Sequence, residues 1–436
     1  MRHPIKNTRI AVATALLTLA VATSAHATEP TCEVGAYGAP DQDIVVLEPK
    51  DWILAPGMGY LLLDGRYGST LAPTSPVTCG AGYVLLKPEN SEQIRLDKRA
   101  FKRTREEVPV AGAVLVGDLL EPTGPGTSPV RPLVVMVHGS ETEPAIGNNR
   151  AYLLAAQGVT VFTYDKRGTG QSGGFYTQNF ELLADDAAAA MQHAQNLARG
   201  RFDRSAYWGQ SQGGWVAPLA ATRSKVDFVA VGFGLVASPI DEDRDQMLLE
   251  AQTLGLGVPE KQQIRRLSQA TATIVSSHFT SGFAALDALR KETGDEKWVG
   301  LINGEYSGDM LRMSDSDLRR VGRAVFDNLE IIWDYRSAPV LSRLKTPLLW
   351  TIAEKDREAP VDETVAALTN LQKQGKPFDV YVFPDTDHGM YEFIEKSDGS
   401  RSNTRVTDGY FKFIGDWILG RTDSHYGRAR ALSGRK

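Results

Sequence analysis

The sequence predicts a mostly parallel α/β sheet with helices on both faces, a helical insertion, and a small β-rich segment ahead of it. Three observations carry that expectation. Beyond about residue 105, short apolar runs rich in β-branched residues alternate with helix-length amphipathic segments, the pattern of strands buried on both faces. Between residues 236 and 344 the rhythm stops, and the chain runs with helical spacing, many charges and no convincing strand. Third, Gly209-Gln210-Ser211-Gln212-Gly213 falls between strand-like Ser205-Ala206-Tyr207-Trp208 and the apolar, helix-like Trp215-Val216-Ala217-Pro218-Leu219-Ala220-Ala221. A G-x-S-x-G run in that setting is a sharp strand-to-helix turn. Its glycines let strand and helix approach, and the serine oxygen is lifted out at the N-terminus of the helix.

The elements follow in chain order. Short strands are expected near 43–47, 60–63 and 83–86, punctuated by Pro and Gly as in Ala55-Pro56-Gly57. Residues 113–120 and 133–137 read as two strands around a Pro/Gly hairpin loop at 122–132. A helix at 149–157 leads to a strand at 159–164, and an alanine-rich helix covers 182–198. The turn at Ser211 and its flanking strand and helix come next, then strands at 228–233, 347–352 and 378–383, with a helix starting near Asp362.

Length and composition set the organisation. The chain has 436 residues, 42% hydrophobic and 23% charged, which suits one large domain with a smaller one. Residues 1–27 read as a signal peptide: Arg2, Lys6 and Arg9 open it, an apolar run follows, and Ala25-His26-Ala27 offers a small-x-small cleavage site. The apolar run at 10–22 is short of the roughly 20 residues a spanning helix needs, so no membrane span is expected. Removing three cations and no acids takes the formal charge from −5 to −8, which favours neither nucleic acid nor an anionic membrane as partner. The expected divisions are a β-rich accessory domain at 28–104 and a catalytic domain at 105–436, with the helical cap inserted at about 237–344. Cys32 and Cys79 are the only cysteines, and export makes a disulfide between them permissible. The localisation expected is periplasmic or secreted.

A serine needs a base to take its proton, and the base needs an acid to hold its tautomer. Of seven histidines, His3 and His26 leave with the leader, His193 lies in the alanine-rich helix, and His138 precedes the nucleophile. His278 and His425 stand in charged or irregular surroundings. His388 follows the strand at 378–383 by a short polar loop, where a base can reach Ser211. The acid should fall between them in sequence. Asp356, just past the strand at 347–352, is preferred to its neighbour Glu354, and Asp385 and Asp387 are too close to His388 in the chain to orient it. Two backbone donors complete an oxyanion hole: the N–H of Gln212 and, from the loop His138-Gly139-Ser140, that of Ser140.

His138-Gly139-Ser140, Tyr164-Asp165-Lys166-Arg167-Gly168-Thr169-Gly170-Gln171-Ser172, the turn at Ser211 and the Asp356 and His388 segments together resemble the α/β-hydrolase superfamily over about 108–419. Within it the chain resembles exported bacterial carboxylesterases of the dienelactone hydrolase and prolyl-oligopeptidase-like branch, with an N-terminal extension. Gly213-Gly214 after the nucleophile is similar to that branch, whereas Trp215 stands where the branch usually has tyrosine and the chain has no room for a β-propeller. The resemblance implies the α/β-hydrolase fold. It also implies a structural role for Gly168-Thr169-Gly170-Gln171-Ser172-Gly173, with Asp165 and Arg167 in local ion pairs. That run is formally a dinucleotide fingerprint, but it opens into no helix, and Asp185 and Asp186 fall inside a helix rather than at the end of the next strand.

The function expected is a serine carboxylesterase acting through an acyl-enzyme on a small-molecule ester. A serine peptidase or amidase of prolyl-oligopeptidase-like type is the alternative, and a non-catalytic binding protein on the same scaffold is the third reading. No cofactor is expected, and no Cys–His spacing suggests a metal. Within the cap, Phe279, Phe283, Trp298, Tyr306 and Trp333 are candidates to line an acyl pocket.

Overall fold

Arg131-Pro132-Leu133-Val134-Val135-Met136-Val137 is buried along its whole length, and the molecule is organised around it. The computed structural model describes residues 32–49, 58–89, 91–294, 296–423 and 425–432. The expected leader lies outside them.

Two small antiparallel sheets come first. One is β1 (Gly35–Tyr37), β2 (Val45–Pro49), β3 (Met58–Leu62) and β4 (Tyr67–Ser69); the other is β5 (Val77–Gly80), β6 (Tyr83–Leu86) and β7 (Ile94–Asp97). Tyr37, Val45, Leu47, Leu62, Val77, Val84 and Leu96 form a shared core, closed by a Cys32–Cys79 disulfide.

A nine-stranded sheet follows, built from β8 (Ala100–Val110), β9 (Ala113–Thr123), β10 (Arg131–Val137), β11 (Thr160–Tyr164), β12 (Phe202–Gln210), β13 (Phe228–Gly232), β14 (Leu348–Ala353), β15 (Phe378–Phe383) and β19 (Arg430–Ala431). Its order is β19-β15-β14-β13-β12-β10-β11-β9-β8. β10 through β15 are mutually parallel, and the edges are antiparallel. From β10 the chain goes outward to β11 and returns to β12 on the other side. That reversal opens a crevice at the carboxyl ends of β10 and β12, where ligands bind in open α/β sheets.

The strands at 113–120 and 133–137 are not a hairpin: β11 lies between β9 and β10, and the 122–132 loop passes from the edge of the sheet to its middle. The true hairpin is β8 with β9 around Ala111-Gly112. β8 escapes sequence reading because its side chains alternate with charge, and Arg103 and Arg105 both pair across the ladder with Asp118. The expected boundary at 104/105 falls inside this strand.

Helices cover both faces. α2 (Phe180–Leu197), α3 (Gly213–Ala221), α9 (Ser337–Arg343) and α10 (Asp362–Lys373) share one core with the sheet; α1 (Asn149–Ala156) and α11 (Tyr410–Leu419) share the other, together with Ala36, Ile44 and Val46 of the first small sheet.

Between β13 and β14 the structure is helical: α4 (Pro239–Thr253), α5 (Val258–Ser276), α6 (Phe283–Thr293), α7 (Ser307–Arg312), α8 (Asp315–Phe326) and α9. Ser238 starts α4 with a capping box, its hydroxyl bonded to Asp241 N at 3.2 Å, and Pro239 supplies the first-turn φ. Ile264, Leu267, Thr271 and Ile274 recur at helical spacing on α5 and bury that face against Leu286, Leu289, Trp298 and Leu318. α9 differs, since Val340 and Leu341 pack into the main core. A last sheet, β16 (Thr386–Asp387), β17 (Tyr391–Glu395) and β18 (Arg401–Val406), is inserted after β15 and was not anticipated.

Candidate active site

Ser211 occupies a left-handed backbone conformation, φ 51°, between β12 and α3. A residue with a Cβ holds that conformation only when its surroundings over-determine it. Here Ser211 N donates to Gly232 O at 3.0 Å, and Gly214 N donates to Ser211 O at 2.7 Å. The turn also needs bare backbone: a Cβ on Gly213 would lie 2.3 Å from Val137 O.

His388 begins a single turn of 3-10 helix after β16. Asp387, beside it, is the local scaffold. Its carboxylate accepts from His388 N and Arg357 N, each at 2.9 Å, and pairs with Arg401 at 2.7 Å on the new β18. The Phe233 ring stands edge-on to the imidazole, centroids 5.0 Å apart. Asp356 follows β14 and is buried. Its Oδ1 accepts from Glu358 N at 3.0 Å and Ala359 N at 2.7 Å, leaving Oδ2 for His388 Nδ1 at 2.9 Å. On the other side, His388 Nε2 lies 3.1 Å from Ser211 Oγ. Carboxylate, imidazole and hydroxyl form one hydrogen-bonded chain from three different strand ends.

Glu354, the competing acid, turns outward to Arg430 at 2.6 Å. Three of the other described histidines are engaged elsewhere: His138 with Tyr164 O at 3.3 Å, His193 near Glu106 at 3.8 Å, and His278 with Asp327 at 2.9 Å.

Burial pushes the imidazolium of His388 down, but the charge and hydrogen bond of Asp356, helped by Glu358 and Asp387, outweigh it and raise the group to about 9. Glu358 Oε1 is 3.5 Å from the same Nε2 that faces Ser211.

Ser211 sits where two cavities meet. The larger, about 1060 Å³, opens over His388, Arg150, Glu358 and the β17 and β18 strands. The smaller, about 250 Å³, is walled by Phe180, Trp215, Leu235, Phe326, Ile331 and Trp333. Ser140 and Gln212, the two expected oxyanion donors, both line the smaller cavity beside Ser211. Of the five cap aromatics singled out, Tyr306 and Trp333 reach it; Phe279, Phe283 and Trp298 pack inside the cap.

Sequence reasoning missed a group of carboxylates here. Glu242, Glu305 and Glu358 line the smaller cavity, and no cationic side chain among the described residues pairs with Glu242 or Glu305. Burial, with Glu358 and Asp243 nearby, raises Glu305 to about 7, and burial beside Glu305, Glu358 and Asp356 pushes Glu242 well above the usual carboxylate range. No local signal marks them, because an acid in the first turn of a helix, as Glu242 is, ordinarily complements the helix dipole. Among the described residues no metal-ligand cluster occurs, and no helix is long and apolar enough to cross a membrane.

Two family models match the chain in succession: residues 128–280 match the serine aminopeptidase S33 model, and 310–412 the prolyl oligopeptidase family. The first match contains Ser211 and runs into the helical insertion, and the second spans Asp356 and His388. The chain is an α/β-hydrolase. Comparison with curated proteins gave no match. Among solved structures this hydrolase is similar to the Pyrococcus horikoshii acylaminoacyl peptidase (13% identity, TM-score 0.44, covering 88% of this chain and 56% of that one). It is also similar to the Pyrococcus furiosus esterase Pf2001 (14%, 0.41, 66% and 83%). A third is a Mycobacterium tuberculosis puromycin-hydrolyzing peptidase (15%, 0.43, 90% and 55%). The hydrolase thus spans little more than half the length of the two peptidases. It is a serine hydrolase of the esterase and peptidase type.

Proposed function

We propose that this hydrolase cleaves carboxylic esters through an acyl-enzyme, with Ser211 as nucleophile, His388 as base and Asp356 as orienter. The observation that carries the reading is the unbroken chain from Asp356 Oδ2 through His388 to Ser211 Oγ, 2.9 and 3.1 Å, at the junction of two cavities. Ser211 Oγ attacks the ester carbonyl while His388 Nε2 takes its proton. The carbonyl oxygen, now negative, is held by the N–H groups of Gln212 and Ser140. His388 returns the proton to the departing alkoxide, which leaves as alcohol. Water then attacks the acyl-enzyme by the same route and releases the acid. The wall of Phe180, Trp215, Leu235 and Trp333 in the smaller cavity suits a short or medium acyl chain, and the larger open cavity the alcohol. The β-rich region ahead of β8 serves as an accessory domain, and about 237–344 as the cap that sets substrate choice. The Cys32–Cys79 disulfide agrees with export to an oxidising compartment.

A second reading, amide or peptide hydrolysis, is favoured by one observation. Glu242, Glu305 and Glu358 line the cavity beside Ser211, where a protonated amine on the substrate would pair with them and favour their ionised form. The test is a parallel assay on p-nitrophenyl esters and aminoacyl p-nitroanilides, with Ser211→Ala as control. Turnover of esters alone supports the first reading, and turnover of the anilides at comparable kcat/KM replaces it with the second.

A further inference from the structure

The glycine-rich run after β11 has no part in the relay, yet it holds the loop that carries Ser140. Four contacts join residues 165–176 to the segment between β10 and α1. Lys166 Nζ donates to Gly139 O at 2.5 Å, and Tyr176 Oη donates to Ser140 O. At the far end of the same loop, Asp165 Oδ1 accepts from Ala145 N at 2.8 Å and Ile146 N at 3.1 Å. Asp165 is fixed in turn by Gln171 N at 2.8 Å, and Gly170 packs so tightly on it that a Cβ there would lie 2.1 Å from the carboxylate. Arg167 instead forms a buried pair with Asp186 at 2.7 Å. The expected ion pairing therefore holds for Arg167, while Asp165 binds backbone amides.

The geometry of the 139–140 peptide gives Lys166 its meaning. A trans peptide is planar, and its C=O and N–H point to opposite sides. Holding Gly139 O on the buried side turns Ser140 N–H the other way. Gly139 abuts the nucleophile, since a Cβ on it would lie 3.1 Å from Ser211 Cβ, so the site needs glycine there. Glycine also leaves that peptide free to flip. A flipped peptide would present a carbonyl oxygen to the developing oxyanion. Something outside the loop must select the orientation, and Lys166 is placed to do so. It is only 4% exposed, and its ammonium lies 5.1 Å from the centre of the Tyr176 ring.

We propose that Lys166 is a positioning residue that locks the 139–140 peptide with the Ser140 N–H facing the reacting carbonyl oxygen, while Tyr176 seconds it by holding the next peptide through Ser140 O. This rests on the reading of Ser211 as nucleophile and Ser140 as oxyanion donor. Lys166 touches no substrate; it acts through the peptide it grips. Burial lowers its ammonium to about 8, opposed by Glu141 and Glu143, so the charge on the clamp is retained at neutral pH. A cation on the carbonyl oxygen also draws electron density from the same peptide and strengthens its N–H as a donor.

The test compares the whole protein with Lys166→Met and Tyr176→Phe, using p-nitrophenyl butyrate as substrate and an alkyl trifluoromethyl ketone as mimic of the tetrahedral oxyanion. Removing one oxyanion donor costs roughly 100- to 1,000-fold in kcat, so Lys166→Met should lose about 10- to 1,000-fold. KM should stay within about threefold, and the ketone's Ki should rise in step with the loss in kcat/KM. Tyr176→Phe keeps the buried charge and should show the same split at a smaller scale, roughly 3- to 10-fold. A folded Lys166→Met with parental kcat, or with an unchanged Ki, overturns the proposal. If Lys166→Met does not fold, Tyr176→Phe decides, and parental kcat and Ki in that variant overturn it. A wild-type protein that neither turns over the ester nor binds the ketone overturns the underlying reading instead, a result distinct from any shown by the variants.

Discussion

His388 Nδ1 lies 2.9 Å from Asp356 Oδ2, and the other oxygen of that carboxylate is held by two backbone amides. The acid is thus fixed before the imidazole meets it, so the His388 tautomer that presents Nε2 to Ser211 is already selected.

That arrangement ranks three substitutions. His388→Ala should lower kcat by several orders of magnitude, and Asp356→Asn by roughly 10⁴, with KM little changed. Glu354→Gln should stay within about threefold, because that carboxylate is spent on Arg430. Steady-state kinetics on a p-nitrophenyl ester checks the order. Equal losses for Asp356→Asn and Glu354→Gln would reassign the acid.

The pH profile follows from the imidazole. A base works only unprotonated, and His388 is raised to about 9, so kcat/KM should climb with pH through that value. Glu358 is among the charges that hold the proton on. Glu358→Gln should therefore move the rising limb to lower pH and increase activity at pH 7. A limb that stays in place, or moves up, contradicts this electrostatic account.

The cap aromatics divide into two groups. Tyr306→Ala and Trp333→Ala should shift the ester chain-length preference towards longer acyl groups, since both line the smaller cavity. Phe283→Ala and Trp298→Ala should keep the parental profile and lose stability, by about 3–5 kcal/mol for a buried aromatic. Profiles measured after thermal melts separate the two effects. An unaltered profile in all folded variants would move the specificity element elsewhere.

The disulfide closes a separation of 47 residues within the small β-rich core. On a chain-entropy account its loss costs about 3–4 kcal/mol. Cys32→Ser with Cys79→Ser should lower the melting temperature while leaving kcat near the parental value, because neither residue borders the cavities around Ser211. A parental melting temperature contradicts the stabilising role.

The legible parts of this molecule are those with a local signature. Most of the central strands carry short apolar runs, and Ser211 sits in a turn whose glycines have few other uses, so the middle of the sheet and the candidates Ser211, Asp356 and His388 were legible in the sequence. β8 was invisible because it is charged, and the partners of those charges, Asp118 above all, come from other segments of the chain. β9 and β10 read as a hairpin because adjacency in sequence suggests it, while the insertion of β11 between them is a matter of topology. The β16–β18 sheet is polar and short, and its Arg401 matters only through Asp387. Glu242, Glu305 and Lys166 belong to the site through contacts between segments far apart in the chain, which no periodicity records.

The most direct measurement is covalent labelling of the folded protein with a fluorophosphonate, followed by peptide mapping of the modified serine. The expected result is a single adduct on Ser211, absent from Ser211→Ala and from His388→Ala at equal exposure, with ester turnover lost in step. Labelling at another serine, with Ser211→Ala still active, would contradict the account.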